Sequence, residues 1–295
     1  MLTVTLVASL AAAALWQQWR AIEVESAERT RLQSLWVLTG ALDWARLILI
    51  EDGRTGGADH LAEPWAIALE EARLSTFLAA DKSSTADTDG TLQQVFLSGR
   101  IEDVQARMNV LNLLDGTKLS EPALLAFGKL FDQLGLTSNE LLRMADALRV
   151  ASGTAAAPPA AIASVPLMPQ RVEQLVWLGL SPRSLALLRP YVTLLPVRTP
   201  INLNTASAQV LHASVPALDM AQAQQMVSAR QLSHFQSLAD ATKVAGAGQF
   251  NPADHSVNSR FFEVHGRLRI DQAVVEENSL LQRDGTTVQT LWRMH

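Results

Sequence analysis

The sequence predicts an α+β chain in which a long N-terminal helix covers one face of an antiparallel sheet, and a large helical segment interrupts that sheet. Three observations predict it. Helical spacing runs without a proline from Met1 to about Glu51. Period-two alternation then occurs in two separate places, near residues 92–106 and again over 261–292. Between them, residues 119–250 hold capping residues and short amphipathic stretches. The expected divisions are a membrane or assembly helix at 1–51, the first part of a head at 52–118, an inserted helical domain at 119–250 and the returning sheet at 251–295.

Met1 to Trp19 is uncharged and mostly apolar, with Leu2, Val4, Leu6, Val7, Leu10 and Leu15 supplying most of its hydrophobicity. Trp16 and Trp19 stand at its polar end, as interfacial anchors do, and Arg20, Glu23, Glu25 and Glu28 follow. The stretch is slightly shorter than the roughly 20 apolar residues of an ordinary membrane span. A buried core helix and the end of a cleavable signal, with Ser9 and the alanines to Ala14, are the competing readings. About 50 helical residues extend roughly 75 Å, which suits attachment and assembly better than catalysis. Leu32, Leu35, Trp36, Thr39, Leu42 and Leu49 continue an apolar face, and Gly53, Gly56 and Gly57 are expected to end the helix.

At 295 residues and 48% apolar content, the chain can bury a core and form more than one domain. A net charge of -5 argues against wholesale wrapping of nucleic acid. There is no cysteine, which leaves the redox compartment open.

Further along, Ile67–Thr76 reads as a short helix and Lys82–Gly90 as a polar loop. Strand spacing begins at Leu92, and Gly99-Arg100 is expected to turn it into a hairpin ending near Ala106. Ser120 and Pro122 open a helix with a stripe of Leu124, Leu125, Phe127, Leu130 and Phe131, and Ser138–Leu148 forms another. Ala151–Pro169 reads as an Ala/Pro/Ser linker. Two short helix pairs follow, one over Arg171–Leu188 and one over Thr205–Arg230. In the last segment Phe262, Val264, Gly266, Leu268 and Ile270 form the core-facing set, while Phe261, Glu263, His265, Arg267 and Arg269 face water. Asp284-Gly285 then makes a tight turn between two final strands.

No phosphate loop, zinc-binding H-E-x-x-H helix or nucleophile elbow occurs. Glu102 and Asp103 are adjacent on a strand and point to opposite faces, so they do not form a catalytic pair. His60 reads as a local polar residue, and His212, His234, His255 and His265 lie on separate elements. Asp52, Asp59 and Glu63, or Asp81, Asp87 and Asp89, offer calcium-type oxygen ligands, but neither set has the spacing of a twelve-residue calcium loop. No catalytic residue is assigned.

The run Ile201-Asn202-Leu203-Asn204-Thr205-Ala206-Ser207 is more specific. Asn204 or Thr205 can cap a helix whose inner side is Ala206, Val210 and Leu211, with Val227 on the opposing helix. The pair resembles a helix-hairpin-helix element, whose backbone amides approach phosphates in DNA-binding relatives. Ala217 stands where those binders favour glycine, and Arg198, Arg230 and Lys243 leave only local positive charge. Protein packing is the expected role, and a membrane-tethered DNA-binding protein is the alternative.

The chain as a whole resembles the K-type minor pseudopilins of the type II secretion system. The resemblance rests on Leu2-Thr3-Val4, Leu61–Trp65, Ile101–Asn109, Leu188–Thr193 and Asn204–Ser207, in that order over nearly the whole length. It implies a pilin-like fold with an inner-membrane helix and a periplasmic head, capping a short pseudopilus with the I- and J-type minor pseudopilins. Other pseudopilins and inner-membrane secretion components are further implied partners, with no nucleic acid and no enzymatic activity. The family lacks the acidic residue most pilins carry near the mature N-terminus, and here the first acid is Glu23. A basic leader ending in glycine is absent, so Met1 is expected to be an internal or late start, with in-frame codons upstream. The family also tends to carry a calcium-associated acidic stretch. The comparable Met144–Ala161 keeps Asp146 but is Ala/Pro-rich, so the resemblance leaves calcium open without assigning it a site, and no other cofactor is expected.

Overall fold

The computed structural model describes residues 2–75, 95–153, 166–246, 250–270 and 273–295. The first helix, α1 (Leu2–Thr55), runs through Gly53 and ends at Gly56, whose φ of 66° is the left-handed conformation that glycine adopts without a Cβ penalty. Gly53 therefore has another role than the helix stop expected of it. A Cβ at Gly53 would stand 2.4 Å from the carbonyl oxygen of Gly285, so glycine lets the last turn of α1 touch the turn between the final two strands.

Five strands form the main sheet: β1 (Leu69–Arg73), β2 (Val95–Asp103), β3 (Phe261–Ile270), β4 (Ala273–Asp284) and β5 (Thr287–Met294). They lie in sequence order and each neighbouring pair is antiparallel. Two expectations are corrected here. Leu69–Arg73 is an edge strand, not part of a helix, because pairing with β2 outweighs a weak local propensity. Gly99-Arg100 makes no hairpin: β2 continues through both, and Gly99 sits opposite Gly266 where a Cβ would lie 2.9 Å from the carbonyl oxygen of His265. The expected polar loop at Lys82–Gly90, with Leu92 and Gln94, lies outside the described residues. The tight turn does form, with Asp284 paired to Thr287 and Gly285 at φ 60°.

One face of the sheet is covered by α1. Leu38, Leu42, Ala45 and Leu49 recur at helical spacing and are buried, the first against Leu97 and Leu268, the others against Phe262, Val264, Leu281 and Val288. The opposite face is not simply solvated. Phe261, which alternation assigned to the water-facing set, is fully buried with Leu280 against Val104 and Leu195. Val104, just after β2, and Leu195, from the middle of the insertion, fold back over that end of the sheet, a contact between distant segments that local periodicity does not encode.

Between β2 and β3 the chain builds a helical unit: α2 (Glu121–Gln133), α3 (Ser138–Ala151), α4 (Pro182–Leu188), α5 (Ala208–Ser214), α6 (Met220–Leu232) and α7 (Leu238–Ala245), with a 3-10 helix at Val172–Leu178. Ser120 caps α2 by accepting from the amide of Ala123, and Pro122 occupies its first turn as expected. Leu125 is an exception to the predicted stripe, being exposed while Phe127, Leu130 and Phe131 are buried. The helix α7, capped by Ser237, is an element the sequence reading did not anticipate. The core of this unit also takes in Met108, Val110, Leu113 and Leu114, which precede residue 119. Ile201-Asn202, in the middle of this unit, pairs in parallel with His255-Ser256, just before the chain returns to the sheet. Most of the Ala/Pro segment, residues 154–165, lies outside the described residues.

Candidate assembly surface and its supporting junction

At 1.5 Å per residue the 54-residue α1 is roughly 80 Å long, and only its second half packs on the sheet. Every side chain from Thr3 to Arg29 is exposed, including Val4, Leu6, Val7, Leu10, Leu15, Trp16 and Trp19, and Leu2 belongs to the same helix. Among the described residues no helix is long and apolar enough to cross a membrane. Thr3, Thr5, Ser9 and the Gln17-Gln18 pair lower the mean hydropathy of this stretch. Beyond it, the apolar face proposed from sequence divides in two. Leu42 and Leu49 face the sheet, whereas Leu32 and Trp36 point outwards and Trp36 is 78% exposed. With Trp44 and Leu47 they leave an apolar strip along the outside of α1.

A buried polar junction adds to the apolar packing that holds this helix on the head. Asp103 ends β2 on the face opposite Glu102, as strand alternation requires. Its Oδ2 accepts from Asn202 Nδ2 at 3.1 Å, Thr205 Oγ1 at 2.6 Å and Ser259 Oγ at 2.6 Å, and its Oδ1 accepts from the amide of Gln105 at 2.8 Å. Burial pushes this carboxyl above its ordinary range, and the four donors oppose that shift. Asn202 also donates to the carbonyl of Asp59 at 3.1 Å. Next to it, Arg283 of β4 pairs with Asp52 on α1 and with Asp59, and donates to the carbonyl of Ser259 at 3.0 Å. Helix, sheet and insertion thus share one network of buried groups.

The fold brings Asp52, Asp59 and Glu63 together, with one carboxylate oxygen of each within 4.8 Å of the other two. Their calcium reading gains no twelve-residue loop, and Arg283 already holds two of the three. Asp81, Asp87 and Asp89 lie outside the described residues, and Asp146 is paired with Arg149. Burial raises Asp59 to about 6 against the pull of Arg283. Burial likewise raises Glu63 to about 7, although the amide of His60 and the indole of Trp65 donate to it. A folded pKa above the unfolded one means that the folded chain keeps a proton the unfolded chain releases. Relative to Glu63→Gln, the wild-type chain should therefore gain stability as pH falls from about 7 towards 4.5, by roughly 1 kcal/mol once partial exposure is allowed for. Urea unfolding of both proteins at pH 8, 6.5 and 5 checks this, and a difference that does not change with pH would count against it.

The insertion residues picked from sequence fall into two groups. Ala206, Val210 and Leu211 are buried in the helical core, and Val227 packs against it. Asn204 and Thr205 do not cap α5, as expected of them; Ser207 does, accepting from the amide of Val210. Asn204 is instead buried and bonded twice to the backbone of Phe235, at 2.9 and 2.8 Å, while Thr205 serves Asp103. Sequence reasoning missed Lys129, whose Nζ donates to the carbonyls of Val215 and Pro216 at 3.1 and 2.7 Å and so closes the hairpin between α5 and α6. The basic residues of the DNA-binding alternative are engaged elsewhere. Arg198 pairs with Asp115, Lys243 with Asp240, and Arg230 donates to the carbonyl of Leu203. Of the scattered histidines, His60 and His234 stack with ring centroids 3.6 Å apart, a long-range contact with no trace in sequence spacing.

Two family profiles, each described as "Type II secretion system (T2SS), protein K", match residues 106–197 and 201–258, half of the chain between them. The chain belongs to the type II secretion system protein K family. It is a K-type minor pseudopilin, as its long helix, antiparallel sheet and inserted helical unit had suggested. The type II secretion system protein K of Pseudomonas aeruginosa is 28% identical over 99% of this chain and 86% of its own length. Among solved structures, a chain of the crystal structure of the GspK-GspI-GspJ complex from the enterotoxigenic Escherichia coli Type 2 Secretion System shares the fold. The TM-score is 0.60 at 19% identity, over 91% of this chain and 97% of that one.

Proposed function

We propose that this K-type pseudopilin occupies the tip of a short pseudopilus and helps start its assembly, joined to I- and J-type minor pseudopilins along the outer strip of α1. One observation carries the reading: half of a 54-residue helix is exposed and uncharged up to Trp19, while its other half is fixed to a broad head. Such a rod packs laterally against like rods, and a head widened by an inserted unit obstructs addition above it. The solved relative was crystallised as a GspK-GspI-GspJ complex, which supports the same partners here. Before assembly, the segment from Leu2 to Trp19 rests in the inner membrane in a single pass, with Trp16 and Trp19 at its edge and the head in the periplasm. Other pseudopilins and inner-membrane secretion components meet the same helix. The role is structural and not catalytic: Asp59, Asp103 and Arg283 are taken up in holding the junction together.

Co-purification from membranes with the I- and J-type proteins tests this. Leu6→Asp or Leu10→Asp should reduce membrane retention, with a charge near the middle of a span costing about 2.5–3.5 kcal/mol, and should weaken recovery of both partners. Unchanged extraction and unchanged pull-down would refute the role assigned to α1.

A further inference from the structure

Where the loop after α1 meets the inserted unit, two imidazoles lie face to face. His60, between α1 and the 3-10 turn at Pro64–Ala66, stacks on His234, between α6 and α7, with ring centroids 3.6 Å apart and planes inclined by 19°. The contact adjoins the buried junction. Asp59 precedes His60, and Phe235, whose amide and carbonyl are bonded to Asn204, follows His234.

Hydrogen bonding fixes the charge state of both rings. The amide of Ala62 donates to Nδ1 of His60 at 3.2 Å, and the side-chain amide nitrogen of Gln236 lies 2.6 Å from Nε2 of His234. Each of these ring nitrogens is an acceptor, so each imidazole is neutral and carries its one proton on its other nitrogen. A second proton would set N–H against N–H, and two protonated rings would repel across the stack. Burial first, and His234 second, hold His60 below its ordinary value of 6.5, against the pull of Asp52 on α1. The surrounding charges are engaged. Arg283 of β4 holds Asp52 and Asp59, and Glu63 accepts from the amide of His60 and the indole of Trp65. On the inserted side, Arg230 of α6 donates to the carbonyl of Leu203, while Asp240 and Lys243 of α7 pair with each other.

We propose that the His60–His234 stack is an acid-released latch between the head and the inserted unit, closed while both rings are neutral and opened by a proton on either, which frees the α6–α7 turn and the loop at residues 60–62. The sign follows from the opened loop taking a proton more readily than the stacked one. The latch is fully closed above the ordinary histidine value and weakens as pH falls below about 6.5. The neighbouring acids respond in the opposite sense: burial makes Asp59 and Glu63 keep protons in the folded chain, so acid favours their contacts while it opens the stack. Opening is therefore local, and the four donors on Asp103 keep the inserted unit attached. The latch does not rest on the assembly role proposed for α1.

Amide hydrogen exchange of the full chain in detergent at pH 8 and pH 5, corrected for the intrinsic rate at each pH, tests this. The amides of Ala62 and of residues 233–236 should lose protection at least fivefold in acid, while those of β3 hold theirs. His60→Phe and His234→Phe each keep an aromatic face and remove the titrating ring, so in either variant the 233–236 turn should no longer respond to pH. Glu63→Gln should leave the acid response in place. Circular dichroism verifies that each variant is folded. If neither phenylalanine variant folds, the imidazole resonances of wild-type His60 decide: the ring should titrate below 6.5, and titration at or above 6.5 overturns the latch. It is also overturned if wild type loses less than fivefold protection, if β3 loses as much as the turn, if a folded phenylalanine variant responds to acid as wild type does, or if Glu63→Gln abolishes the response.

Discussion

Replacing Asp103 by alanine is expected to destabilise the head by about 3–5 kcal/mol, because it removes the acceptor on which three segments of the chain converge. The change would strand the amide of Asn202 and the hydroxyls of Thr205 and Ser259 in a site closed to water, and each unsatisfied donor costs about 1–3 kcal/mol. Some of that cost overlaps, since Asn202 also donates to the Asp59 carbonyl and to Ser259. Asp103→Asn should cost much less, about 1–2 kcal/mol, because it keeps an acceptor and the shape of the site. Burial already disfavours the charge at this position, so losing it is not the main penalty. Urea unfolding followed by both tryptophan fluorescence and far-ultraviolet dichroism provides the measurement. The second probe matters because the sheet and the helical unit can separate into distinct transitions once their junction is cut. An alanine variant within about 1 kcal/mol of wild type would show that the junction does not couple the two parts.

Trp65→Ala is expected to cost about 3–5 kcal/mol, and Trp36→Ala less than about 0.5 kcal/mol, although both are tryptophans on or beside the same helix-sheet layer. Trp65 is 1% exposed, meets Phe262 edge-to-face at a centroid distance of 5.2 Å, and fills the core beside Leu42 and Leu49. Its removal opens a cavity and takes from Glu63 the indole donor at 2.7 Å. Trp36 stands on the outer side of α1 and contributes almost nothing to the fold of its own chain. If the outer strip is the assembly surface, Trp36→Ala should lower recovery of I- and J-type partners while leaving the unfolding midpoint in place. The opposite pattern, a stable Trp65→Ala protein and an unstable Trp36→Ala protein, would reverse the assignment of the two faces.

The sequence by itself determined the order of the large pieces. A helix without proline, a turn at Asp284-Gly285 and a helix opened by Ser120 and Pro122 are all written in neighbouring residues, because caps, turns and periodicity act over a few positions. The motifs of the K-type family were legible for the same reason. Tertiary structure alone decided which way each face turned and which distant groups met. Leu42 and Trp36 share an apolar spacing in sequence, and only the docked sheet shows that one is core and the other surface. Gly99 reads as a turn until Gly266 is placed opposite it. Asp103, Asn202, Thr205 and Ser259 meet for the same reason as Glu102, Glu263 and His265: strand register and the closing of the insertion set their separations. Those contacts arise between residues far apart along the chain, and their strength comes from exclusion of water, a property no local pattern of residues contains.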